Sequence, residues 1–134
     1  MKKLGMYAMM FLITASWGMQ DTNAVQRKKA NRLMEDKLRF AKMLLEAVAK
    51  DDYKTIAKTS QQLIGLSQKA EWRVRATARY KLHSDAFREA ALNLKNQALK
   101  EKSNGVAFAY VELTLTCLRC HQTVRAVKMT SFTK

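Results

Sequence analysis

The chain has 134 residues, with 25 Lys and Arg against 11 Asp and Glu, a formal net charge of +14, four glycines and no proline. That length is one domain, and the lack of proline and scarcity of glycine favour long helices over sheets. The basic residues are spread through every segment without an aromatic-interleaved basic motif, so the charge points away from nucleic acid. It points toward a solvated surface that steers an acidic partner or allows peripheral contact with a membrane. No paired carboxylates, serine–histidine constellation or glycine-rich phosphate loop appears.

In chain order, Lys2 and Lys3 precede an apolar run from Leu4 to Ile13, and Thr22-Asn23-Ala24 offers a small-residue cleavage site. This is the pattern of a secretory signal peptide. Cleavage is expected after Ala24, with Gly18 as the alternative. Extending the run to Met19 gives 16 residues, short of the roughly 20 that a membrane-spanning helix needs. Residues 1–24 are therefore read as a signal peptide that exports residues 25–134 to the periplasm. Removing Lys2, Lys3 and Asp21 leaves 23 basic and 10 acidic residues, a balance of +13.

From Val25 to Lys50, apolar residues at Ala30, Leu33/Met34, Leu38, Ala41, Leu44/Leu45 and Val48 recur at helical steps. Asp51-Asp52 breaks the pattern and caps a second helix, with a stripe of Tyr53, Ile56, Ala57, Ser60, Leu63, Ile64 and Ser67. Residues 68–83 lose the period and are expected to form a long connection. Its Trp72 and Tyr80 suit a segment that covers something. Ser84 or Asp85 is expected to cap a third helix reaching about Lys102. After the turn signal Ser103-Asn104-Gly105, a fourth helix from Val106 to about Lys128 carries Val106, Tyr110, Leu113/Thr114, Cys117, Cys120/His121 and Val124 on one stripe. Two tight turns and one longer crossover predict an all-α fold, an antiparallel up-down-up-down four-helix bundle.

The fourth helix contains Cys117-Leu118-Arg119-Cys120-His121, with the only two cysteines and one of the two histidines. C-x-x-C-H reads as a c-type haem attachment site: two thioethers to the porphyrin, and the imidazole as axial iron ligand. At about 100° per residue, Cys120 falls roughly 60° to one side of Cys117 and His121 roughly 40° to the other, so all three project toward one flat macrocycle. A Cys117–Cys120 disulfide or redox pair remains an alternative. Zinc would need four ligands, and only His83 is left to join the three. A bundle of this topology brings the motif to Leu33/Met34, the Trp72–Tyr80 connection and His83, with Tyr110 on the same stripe. Met43 is roughly 14 Å further along the axis than Met34 at 1.5 Å per residue, too distant to serve.

The C-x-x-C-H in the last helix, with Arg125 four residues past the histidine and Ser84-Asp85-Ala86-Phe87 opening the third helix, resembles the cytochromes c′. The resemblance covers residues 25–134 in architecture and is specific in residues near the motif. It departs at residues 68–83, which are basic and lack glycine and proline. It implies one covalently bound haem c with His121 as the proximal ligand and Arg125 beside that imidazole. An apolar distal residue, Leu33 or Met34, would leave the iron five-coordinate; Met34 or His83 as sixth ligand would make it six-coordinate. The implied function is electron transfer, binding of NO or CO, or both, with a crowded apolar pocket favouring neutral diatomics over anions. Homodimers through the first two helices are common in that family, and Phe40, Leu45 and Ala47 are the candidates here. Two other readings are a haem peroxidase-like enzyme acting through the distal face, and a non-haem helical binding module with the Cys117–Cys120 disulfide.

Overall fold

The computed structural model describes residues 22–69 and 77–130. It contains four helices, α1 (Thr22–Ala49), α2 (Tyr53–Gln68), α3 (Ala78–Leu99) and α4 (Ser103–Thr130), and no strand among the described residues. Most of the expected signal peptide and Trp72 lie outside them. α1 packs on α2, α2 on α3 and α3 on α4, and a sparser contact between α1 and α4 closes the ring. The helices thus enclose one core, to which each contributes a fully buried side chain: Leu44, Ile56, Leu94 and Val106.

Two turns of the same construction make the short connections. After α1, the Asp51 N–H bonds the Val48 carbonyl at 3.3 Å and the Asp52 N–H bonds the Ala47 carbonyl at 2.9 Å. After α3, the Glu101 N–H bonds the Ala98 carbonyl at 3.0 Å and the Lys102 N–H bonds the Gln97 carbonyl at 3.3 Å. This pairing satisfies the orphan carbonyls of a helix end through a left-handed residue. Asp51 and Glu101 are those residues, each at φ 51°. Asp52 then starts α2, its carboxylate accepting from the Thr55 N–H at 3.0 Å.

Left-handed backbone is costly for a residue with a Cβ, and Glu101 is exposed. Glu101→Gly relieves that strain while adding freedom to the unfolded chain. The expected net result is a gain of about 0.5–1 kcal/mol, read as a higher urea midpoint; an unchanged or lower midpoint would contradict it.

Cross-helix bonds fix which levels meet. Lys95 donates to Gln61 at 2.9 Å, and the Arg88 guanidinium donates to the Ser67 carbonyl at 3.5 Å. Between α3 and α4, Gln97 lies against Gly105, Asn93 donates to Glu112 at 3.1 Å, and His83 Nε2 meets Thr123 Oγ1 at 2.9 Å.

The third helix departs from the sequence expectation. It starts at Ala78, not at Ser84 or Asp85, because Thr77 caps it by accepting from the Tyr80 N–H at 3.2 Å. Its inward face runs Tyr80, Ser84, Phe87, Ala91, Leu94 and Ala98. The buried serine hides the period in the sequence. Its hydroxyl donates to the Tyr80 carbonyl at 2.9 Å, so it is satisfied inside the helix instead of capping one. Tyr80 therefore belongs to the first turn of α3 and packs against the core. α3 also ends earlier and α4 begins earlier than expected, at Leu99 and Ser103, since the left-handed turn at Glu101 separates them.

Candidate functional site

α4 is continuous through the motif, so Cys117, Cys120 and His121 keep the angular spread of a regular helix. Val106, Ala109, Leu113 and Thr116 lie buried along its inner side, and Cys117 packs against the core cluster. Both cysteines are free and partly buried, whereas Leu118 and Arg119 between them are exposed. His121 is exposed as well, so within the motif only the two cysteines are partly buried.

Burial pushes both thiols above the ordinary cysteine range, and Lys37 opposes the shift at each. His121 is exposed overall, yet partial desolvation of its ring is the first cause of a lowered pKa, and the positive charges of Lys37 and Arg125 lower it further. The imidazole is thereby biased to its neutral form, which has a nitrogen lone pair to offer a metal. Arg125 is exposed and folds back along α4, its Nε donating to the His121 carbonyl at 3.3 Å.

Lys37 is the residue of this site that the sequence reading missed. It is only 8% exposed, and its Nζ lies 4.8 Å from the centre of the Phe87 ring. Burial lowers its pKa, while the Cys117 and Cys120 sulfurs pull it back up. One side chain from α1 thus lies over the Phe87 ring of α3, and its charge is felt at the motif on α4. The sequence held one signal: position 37 is four residues past Leu33 and seven before Leu44, on the helical face those two share. The expected stripe passed through Leu38, which is 58% exposed; the inward position at that turn belongs to the lysine.

The remaining expected residues divide. Leu33 is buried in the core and Met34 is 38% exposed, so Leu33 is the inward member of that pair. Tyr110 packs against the core, seven residues before Cys117 and therefore about 10 Å along the axis. His83 is held by Thr123, two residues past His121, at the α3–α4 seam.

Among the described residues, no three of His, Cys, Asp and Glu are gathered so as to hold a metal ion by themselves. The motif's side chains diverge along one helix, an arrangement suited to several points of one extended group. Also among the described residues, no helix is long and apolar enough to cross a membrane. Comparison with protein-family models, curated proteins and solved structures finds no match.

Proposed function

We propose that this chain is an exported monohaem c-type cytochrome, held as an up-down-up-down four-helix bundle, that carries electrons, binds small neutral diatomics such as NO or CO, or does both. The observation that carries this reading is the run Cys117 to His121 within one helix, its two thiols free and partly buried and its imidazole biased to the neutral form. The antiparallel arrangement is supported by the cross-helix pairs. From Gln97–Gly105 through Asn93–Glu112 to His83–Thr123, the α3 numbers fall as the α4 numbers rise. Lys95–Gln61 and Arg88–Ser67 give the same sense for α2 and α3.

The residues present fit a covalently held haem c. Cys117 and Cys120 would hold it through thioethers and His121 would ligate the iron, with Leu33 and Phe87 as the nearby buried apolar surface. When bound, the iron supplies a one-electron couple and a coordination position for a diatomic. The chain's own contribution is positional and electrostatic. The thiol attachments keep the group in place in both redox states, and Arg125 fixes a positive charge beside the His121 backbone. Leu33 facing inward while Met34 faces out and His83 engages Thr123 favours a five-coordinate iron. The surplus of basic residues steers an acidic redox partner.

The test is purification of the exported protein followed by acid-acetone extraction. The expected result is a red protein whose Soret band survives extraction, and whose ferrous form takes up CO. Colour that extracts into acetone, or none at all, would overturn the reading.

A further inference from the structure

We propose that the outer face of α4 docks a second copy of this chain, seated antiparallel along Phe108, Val111, Leu115 and Leu118. All four are exposed, from 42% at Leu115 to 79% at Phe108. At about 100° per residue they fall within about 80° of helix surface, opposite the buried Val106, Ala109 and Leu113. α4 is thus apolar on two opposite sides, and its own bundle uses one of them. The spacing of the four, by steps of three, four and three residues, is that of a coiled-coil seam. The inference stands apart from the haem reading, since Cys117 packs against the core on the other side of the helix.

Charge selects the occupant. Lys102 and Arg119 bracket 16 residues without a basic side chain, the longest such gap in residues 25–134, with Glu112 the one acid in it. An acidic partner or an anionic membrane is drawn to the basic remainder of the surface rather than to this face. Two copies of a chain at +14 repel wherever basic faces meet, and here they can meet without that repulsion. The α1 residues expected at a dimer interface are less available: Ala47 is buried and Phe40 packs against the core, which leaves Leu45. The α4 spacing also reads the same from either end. Turned end for end, a second α4 sets its Leu118 against Phe108 and its Leu115 against Val111, and two-fold symmetry repeats both pairs. That sense keeps the two Arg119 side chains about 18 Å apart along the axis, where a parallel pair would set them side by side. A face about 24 Å long is at the small end of the interface range, so the dimer is expected to be reversible at micromolar concentrations.

The test is sedimentation equilibrium of the purified protein from about 1 µM to about 500 µM, where an interface of this size dissociates. The average mass is expected to rise to that of two chains. Leu115→Lys weakens self-association about tenfold or more, while Leu45→Lys on α1 leaves it within about threefold of wild type. Circular dichroism checks that each variant stays helical, as substitutions at exposed positions generally allow. Phe108→Glu and Leu118→Lys each weaken association alone and together restore it, because their opposite charges meet only across an antiparallel pair. One chain per particle at every concentration overturns the inference, whether or not the protein then binds anionic lipid vesicles. Loss of the dimer in Leu45→Lys but not in Leu115→Lys overturns it in favour of α1. A double variant weaker than both single ones overturns the antiparallel seating.

Discussion

Serine at both Cys117 and Cys120 is expected to give a helical protein with no haem that survives acid-acetone extraction, while wild type retains one per chain. A hydroxyl is too weak a nucleophile to replace a thiol in forming the attachment, so the loss is complete rather than graded. Neither cysteine is among the fully buried side chains, so the far-ultraviolet circular dichroism of the haem-free protein stays helical. His121→Ala makes the matching contrast. It keeps both thiols and hence the covalent haem, but loses the imidazole, so haem content stays and the Soret band shifts. Covalent haem persisting in the double serine variant, or a normal spectrum in His121→Ala, would refute the assignment of roles.

The second large effect concerns the core. Leu94→Ala is expected to lower stability by about 3 kcal/mol, within the range for truncating a fully buried leucine. Leu94 is 0% exposed on α3, the helix that packs on both α2 and α4. Alanines already occupy positions 90, 91 and 98 on this helix, leaving few long side chains to fall into the void. In a domain this small, each kcal/mol moves the melting temperature by about 4–8 °C. Leu92→Ala, two residues away and 47% exposed, should change stability by less than about 0.5 kcal/mol. Equal losses in the two variants, read from urea unfolding, would mean that the core is not centred on α3.

How far the sequence could be read varied with the kind of residue. The four-helix count followed from periodicity, and Cys117, Cys120 and His121 announced themselves because three chemically distinctive side chains sat at fixed spacing. The start of α3 did not, because Ser84 is a polar residue in a buried stripe and imitates a cap. Whether a serine donates back to its own helix or caps the next depends on where the preceding turn begins, and Thr77 decides that. Lys37 was hidden for a related reason. A pattern built on apolar residues steps over a lysine, although a long aliphatic stem can occupy an inward position. Between Leu33 and Met34 the sequence offered two apolar residues in a row, and only the packing against α2 and α4 turns one of them inward. The second turn shows the same limit. Ser103-Asn104-Gly105 marks a break, yet the left-handed residue is Glu101, selected by two backbone bonds rather than by its side chain.

The two turns also meet: Ser103 donates to the Asp51 carboxylate at 3.1 Å. The two three-residue loops, 50–52 and 100–102, therefore lie together at one pole of the described residues. Cys117 to His121 lies some 14–18 residues further along α4, about 21–27 Å from Ser103. Short loops are cheap to close and local contacts form fast. The turn pole can therefore nucleate folding on its own. The Cys117–His121 segment lies about four to five helical turns from that nucleus, so it is expected to order after it.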